Sequence, residues 1–316
     1  MTGLWLRRAF IAVAWVSVAL LAGCGSSSVV SALTPTRFVA FGDAFSDLGA
    51  AGAGKYSLND GSNNWVQQMA AGYGRSVSSV LDGGTGYARG NARVTSAVDA
   101  AGGTTPSVTQ QITNFLAAGG TFGPNDVVVI NGGYSDIIAE MAAVNSGAQT
   151  SAAMLANVGQ EGRDFAAQVR RLVQAGAKHV VVTGVANLSF TPWATSIGQV
   201  VLLSQASGKF NDELVVTIVD LGANVLYLDS AYFYNLMNTA PANYSFANVT
   251  SPVCNSIDPG PGIGIGLGQV NSSLCTAATV SGQDYSKFLY ADAVYSTPAA
   301  HRQFGDYAYS RVHARW

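Results

Sequence analysis

Arg37-Phe38-Val39-Ala40-Phe41-Gly42-Asp43-Ala44-Phe45-Ser46-Asp47-Leu48-Gly49 decides the fold class of this 316-residue chain. Residues 37–41 form an apolar run of strand length, and the Gly42-Asp43 that follows is turn chemistry. The same unit recurs downstream. Asp126–Ile130 runs into Asn131-Gly132-Gly133, and Lys178–Thr183 and Asn224–Leu228 are similar β-branched runs bounded by Gly, Asn or Asp. Between the second and third of these, Phe165, Val169, Leu172 and Val173 recur at i, i+4, i+7 and i+8, the stripe of an amphipathic helix. A second helix is expected over about 199–221, and a third after Pro298, which suits a first helical turn. Ser76–Val80 is expected to add a strand. Strands alternating with helices give an α/β protein: a three-layer α/β/α sandwich around a mainly parallel sheet of about five strands, as one domain over 37–316. Two irregular stretches, about 81–105 and about 239–285, show no second core pattern and read as surface insertions.

Only 11% of residues are charged, against roughly 25% in an average soluble protein, while 48% are hydrophobic and 36 are glycine. This composition excludes a disordered chain and allows a sizeable core. The net charge of −2 carries no basic footprint, so no nucleic-acid partner is expected. The start of the chain has a different purpose. Arg7 and Arg8 precede an apolar run, Ala9–Leu21, too short for a comfortable membrane span. It ends in Leu21-Ala22-Gly23-Cys24. A charged start, an apolar middle and small residues at the exit describe a secretory signal, and Leu-Ala-Gly-Cys resembles the lipobox of bacterial lipoproteins. The reading is a lipoprotein signal over 1–24 with Cys24 as the lipidated residue, followed by a short linker, 25–36. An ordinary cleaved signal with an incidental cysteine is the alternative. By the same resemblance, Gly25 after the cysteine favours the outer membrane. Cys254 and Cys275 remain, an even number in an oxidising compartment, and are expected to form one disulfide. Zinc is the rival reading, but two cysteines with no nearby histidine make a poor site, so no metal is expected.

Ligands of such sheets sit beyond the carboxyl ends of the strands. Four blocks belong to that region: residues 41–49, Gly86–Arg93, Asn131–Asp136 and Asp292–His301. On these blocks the chain resembles the GDSL (SGNH) family of lipases and esterases, over nearly all of 37–316. The family opens with Phe-Gly-Asp-Ser-x-Ser-Asp-x-Gly. Residues 41–49 match except that Ala44 stands at the nucleophilic serine. Gly90 matches the glycine that gives an N–H to the oxyanion hole, and Ser135 stands where the family has its oxyanion-hole asparagine. In the Asp-x-x-His-Pro-Thr block Asp292 is retained as the catalytic acid, and Tyr295 stands at the catalytic histidine. Asn187-Leu188, Thr191-Pro192 and Phe210-Asn211 match connecting segments. The resemblance implies an SGNH-hydrolase, flavodoxin-like fold, no cofactor, and an acyl ester, a lipid or an acetylated glycan as ligand.

Ester hydrolysis by that mechanism needs a hydroxyl nucleophile, a histidine to take its proton and a carboxylate to orient the histidine. Alanine has no nucleophile, and tyrosine, with an ordinary pKa near 10, is a poor base at neutral pH. Ser135 keeps a hydroxyl donor on a shorter arm, which leaves the oxyanion hole incomplete. Losing the serine or the histidine of a triad alone costs about as much as losing all of it, roughly 10⁶ in kcat. Two losses together therefore fit long-standing inactivity.

Other residues offer weaker chemistry. Ser46 or Ser135 with His301 are the candidates for a rearranged serine site, although Ser46 and Ala44, at i+2 and i of a helix, would face apart. The plainer readings have Ser46 stabilising its turn and His301 packing at a helix start. His179 and His313 read as structural or exposed. Asp43, Asp47 and Asp136 read as turn holders by the resemblance. Gly260–Gly268 resembles a nucleotide loop but joins no strand to a helix, and reads as a flexible surface loop. Trp193 and the aromatics of 227–246 are candidates for an apolar pocket or for core. Three functions follow: an inactive family member kept for binding at the envelope, an active carboxylic-ester hydrolase with a rearranged site, or a structural lipoprotein.

Overall fold

Four short strands lie side by side in chain order and run parallel: β1 (Arg37–Phe41), β2 (Asp126–Asn131), β3 (His179–Thr183) and β4 (Val225–Tyr227). The computed structural model describes residues 31–316 apart from residue 283, so the 1–24 segment with Cys24 and the start of the linker lie outside the described residues. Valines align across the sheet, Val39 beside Val128, Val128 beside Val180 and Val180 beside Val225. β-Branched side chains stack well on such a pleated surface. All six residues of β2 are buried, which requires cover on both faces.

The cover comes from α1 (Trp65–Gly72), α2 (Val108–Ala117), α3 (Tyr134–Asn145), α4 (Ser151–Gln174), α5 (Pro192–Ser196), α6 (Val200–Thr217), α7 (Ser230–Thr239) and α8 (Pro298–Arg315). One group packs α1 on α8; the other packs α4 on α2, α3 and α6. Phe165, Val169 and Leu172 face the core from α4, as their spacing requires. Local chemistry fixes the helix starts. Asn64 and Gln67 form a reciprocal capping box at α1, and Thr297 caps α8 with Pro298 in the first turn. The helix expected over about 199–221 is α6 followed by a 3-10 turn, Val219–Leu221.

The sheet has four strands rather than about five. Ser76–Val80 is not a strand: Ser79 caps a 3-10 turn, Val80–Asp82, which ends at Gly83 in the left-handed region. The place beside β1 goes to Thr85–Tyr87, where Ala40 N–H donates to Thr85 O at 3.1 Å and Tyr87 N–H to Ala40 O at 2.6 Å. A single bridge to β1 forms among the described residues, from Ala40 to Gly86, which also bridges Ser79 and where a Cβ would lie 2.3 Å from Leu48 Cδ1.

The 239–285 stretch is more than a surface insertion. β5 (Asn248–Pro252) pairs in parallel with β6 (Phe288–Tyr290). The expected disulfide joins Cys254 to Cys275, with Cα atoms 5.9 Å apart. Around it Leu58, Val253, Phe288 and Ala291 bury a small second core. The crosslink gathers apolar residues too scattered in sequence to show a pattern. Leu58 brings the loop after β1 into that cluster.

Candidate active site

The block after β1 is held open at its first residue by a close approach. A Cβ on Gly42 would lie 1.9 Å from Asn131 Oδ1, so only glycine fits. Gln111 clasps the same residue from α2, accepting from Gly42 N–H at 2.9 Å and donating to Gly42 O at 2.9 Å. Asp43 then reaches across to the next block. Its carboxylate accepts from Phe45 N–H at 3.1 Å, Asn131 Nδ2 at 2.5 Å and Tyr134 N–H at 3.1 Å. α3 has no side-chain cap from its own Gly133, so Asp43 supplies the missing acceptor at its first turn. Burial pushes the Asp43 pKa up to about 6 against these hydrogen bonds.

Ala44, at the position the resemblance gives to the nucleophile, is 2% exposed and its methyl packs in the main core. Gly90, at the oxyanion-hole glycine, is buried. Its N–H donates to Asp47 Oδ2 at 2.6 Å, while Asp47 Oδ1 accepts from Gly49 N–H at 2.9 Å. Burial raises the Asp47 carboxyl, opposed by these two bonds and by Arg89. The ring of Tyr56 lies against Gly90, since a Cβ there would meet Tyr56 Cε2 at 1.9 Å.

Tyr295, at the histidine position, is 1% exposed. Tyr56 meets it edge-on, with ring centres 5.5 Å apart, and Tyr134 lies at 6.0 Å. Its hydroxyl has no hydrogen-bond partner among the described residues, and burial raises its pKa well above the ordinary value. Asp292 makes no hydrogen bond to an imidazole among the described residues. Its Oδ1 accepts from Val294 N–H at 2.8 Å and Tyr295 N–H at 2.7 Å, and its Oδ2 accepts from Ser272 N–H at 3.1 Å. Burial raises this carboxyl too. Ser135 is fully buried on α3 and its Oγ also has no partner among the described residues. The space left beside Phe45, Tyr134, Tyr234 and Tyr295 is about 10 Å³, room for about one water. Small-molecule sites are usually about 300–1,000 Å³.

Sequence reasoning missed Tyr56 and the loop that carries it. Ser57 Oγ donates to Ser296 O at 2.9 Å, and Asn59 N–H to Cys275 O at 2.8 Å. Asn59 Nδ2 lies 3.2–3.3 Å from the carbonyls of Ser272, Ser273 and Cys275. These ties bind the loop to the disulfide-linked segment and set Tyr56 over Gly90. No local motif marks Tyr56 in advance.

Ser46 and His301 come to two sides of Trp65 and make no hydrogen bond to each other among the described residues. Ser46 Oγ accepts from Trp65 Nε1 at 3.2 Å, and His301 Nδ1 accepts from Trp65 N–H at 3.3 Å. Both are buried. Burial lowers the His301 pKa to about 3, with nearby Lys55 adding to the shift. A neutral imidazole accepting at Nδ1 carries its proton on Nε2. His179 packs on Trp316 and His313 stacks on Tyr309, both as structural side chains.

Asp136 accepts from Val94 N–H at 3.1 Å and from Arg93 at 3.4 Å; Arg93 also meets Glu140 at 3.2 Å and Glu161 at 2.7 Å. One guanidinium facing three carboxylates leaves Asp136 and Glu161 raised, by burial first. Trp193 lines an apolar groove of about 430 Å³ with Ile138, Ala142 and Ile265. The Gly260–Gly268 stretch is anchored rather than free: Ile263 is buried in the core and Gly262 O accepts from Asn91 Nδ2 at 2.8 Å. Among the aromatics of 227–246, Phe233, Tyr234 and Phe246 are core. No three His, Cys, Asp or Glu side chains among the described residues gather as a metal-binding set.

Residues 38–308 match the family model described as GDSL-like Lipase/Acylhydrolase. A Pseudomonas putida protein described as an uncharacterized protein in the trpE-trpG intergenic region is 26% identical, over 88% of this chain and 48% of that protein. The chain thus spans about half the length of that relative. A solved crystal structure superposes with a TM-score of 0.44 at 13% identity, over 89% of this chain and 98% of that one.

Proposed function

The chain belongs to the GDSL-like lipase/acylhydrolase family, and on that premise we propose that it is a member without ester-hydrolysing activity that acts by binding at the cell envelope. The observation that carries this reading is at Gly90. The N–H that would stabilise an oxyanion is hydrogen-bonded to Asp47, and Tyr56 lies over it. An ester carbonyl there would have to displace a carboxylate and an aromatic ring, and would then meet the methyl of Ala44 instead of a nucleophile. Preorganised donors are the largest single term in acyl transfer, so the loss is in electrostatics as well as in the triad. A rearranged serine site is less well supported, because Ser46 and His301 both spend their acceptor atoms on Trp65.

The test is hydrolysis of p-nitrophenyl acetate and butyrate by the purified protein. Background rates are expected. Turnover that Ser46→Ala abolishes would replace this reading with the rearranged hydrolase.

Export and lipid attachment at Cys24, with retention at the outer membrane, are part of the proposal. They are supported by the Arg7-Arg8, Ala9–Leu21 and Leu21–Cys24 pattern. Labelled palmitate should be incorporated by the native chain and not by Cys24→Ala. Equal labelling of the two would remove the anchor from the reading.

A further inference from the structure

A cleft of about 460 Å³ opens at the start of α8. It lies within the usual size range for a ligand site. Lys287 and Arg302 line it. Arg37, Arg93, Arg163, Arg170 and Lys209 are all in ion pairs with carboxylates. The side chains of Lys287 and Arg302 make no hydrogen bond or ion pair among the described residues. Two cations outside any ion pair line one cleft in a chain of net charge −2, with the Asp284 carboxylate near Lys287. The one carboxylate in the lining, Asp60, accepts from Ser62 N–H at 2.9 Å and lies near the Tyr285 hydroxyl.

Tyr244 and Tyr285, both half-buried, are the aromatic residues of the lining. Beside Tyr244 stands Ser245, at φ 63°, one of two non-glycine residues in the described chain with a left-handed backbone. That conformation is uncommon outside glycine, and such residues cluster at binding sites. The other is Asn91, next to Gly90.

We propose that this cleft binds an acidic saccharide, with Arg302 and Lys287 taking a carboxylate and Tyr244 and Tyr285 lying along the sugar rings. A guanidinium fork matches a carboxylate in two parallel hydrogen bonds. Tyrosine combines an apolar face with a polar tip, as a sugar does. A membrane headgroup is the less favoured anion. None of the large exposed apolar side chains, Val201, Val216, Val219 and Leu267 among them, lines the cleft, so nothing beside it would enter a bilayer. The inference rests on the reading of the chain as a binding protein.

Calorimetry on the full chain with a β-1,4-linked glucuronate trimer and the neutral glucose trimer of the same linkage tests it. The charged trimer should bind at least about tenfold more tightly than the neutral one. Arg302→Ala and Lys287→Ala should each weaken the charged trimer about tenfold and leave the neutral one unchanged. Arg302 is exposed, so an unchanged melting temperature will show that the fold survives, and Arg302→Lys should retain part of the affinity. Equal binding of the two trimers overturns the proposal, as does no binding at millimolar concentration or charged binding indifferent to Arg302→Ala. Capture by phosphatidylglycerol vesicles in preference to the trimer would reassign the cleft to a membrane. Ester hydrolysis by the native protein would remove the proposed function while leaving charge-dependent binding here intact, so the two failures are distinguishable.

Discussion

Gly90 N–H donates to Asp47 Oδ2 at 2.6 Å, so the backbone donor at the position that the resemblance gives to the oxyanion hole is bound to a carboxylate of its own chain. With Tyr56 over the same glycine, restoring the triad alone should not restore catalysis. The triple variant Ala44→Ser, Ser135→Asn, Tyr295→His is expected to stay near background on p-nitrophenyl acetate. Adding Tyr56→Ala opens the approach to Gly90 and should raise kcat/KM about tenfold, short of the about 10²–10³ in kcat that a free oxyanion donor is worth, because Gly90 N–H stays on Asp47. Equal turnover by the triple and quadruple variants would show that the Tyr56 ring does not limit access.

Tyr295 carries a buried hydroxyl with no partner among the described residues. A buried polar group left unpaired costs about 1–3 kcal/mol. Tyr295→Phe keeps the ring against Tyr56 and Tyr134 and removes that cost, so it should stabilise the protein by about 1 kcal/mol. Tyr295→Ala should destabilise it by about 3–5 kcal/mol through the cavity it leaves. Urea midpoints read both. A destabilised Tyr295→Phe would mean that the hydroxyl bonds a water in the adjoining cavity.

Asp43 and His301 give the stability opposite pH dependences. Asp43 is raised to about 6 from 3.8, so the native state holds its proton more tightly. Its contribution is complete below about pH 4 and is lost as pH rises through about 6, on the order of 3 kcal/mol. His301 is lowered to about 3 from 6.5, so the unfolded state binds its proton first. That contribution is complete above pH 6.5 and is lost as pH falls toward about 3. Urea midpoints between pH 3.5 and 7 should therefore decline less on acidification in His301→Gln than in the native protein. Asp43→Asn should lose the opposing decline as pH rises from 4 to 6. A His301→Gln curve parallel to the native one would mean that the imidazole is not buried in neutral form.

The parts legible in the sequence are those whose cause is local. The short apolar runs at 37–41 and 126–131, each ending in turn chemistry, are strands, and Thr297-Pro298 starts a helix by its own capping chemistry. Ser76–Val80 misled because its apolar residues carry no information about the turn that Ser79 and Gly83 impose. Asp292 could be placed by motif, yet its bond to Ser272 depends on a loop 20 residues away. Asp47 and Gly90 are 43 residues apart, and Tyr56 is held through Asn59 by carbonyls more than 200 residues downstream. No periodicity records such pairings. The ties around Gly90 were therefore invisible, where the departures of Ala44, Ser135 and Tyr295 from the resembled motifs were plain.

The disulfide links stability to those ties. Cys254 and Cys275 close a 21-residue separation, and chain entropy gives about 3 kcal/mol for such a loop. The crosslink also holds the segment on which the loop carrying Tyr56 hangs, through Asn59 N–H to Cys275 O at 2.8 Å. Cys254→Ser with Cys275→Ser should lower the unfolding free energy by about 3 kcal/mol. Backbone amides of residues 55–59 should then exchange at least about tenfold faster, while those of β2 keep their protection up to the reduced global stability. Asn59→Ala separates the two effects: it should speed exchange at 55–59 with the disulfide intact and a smaller loss of stability, about 1–3 kcal/mol. Unchanged exchange over 55–59 in both variants would mean that packing of Leu58 and Tyr56, and not the carbonyl ties, keeps the site closed.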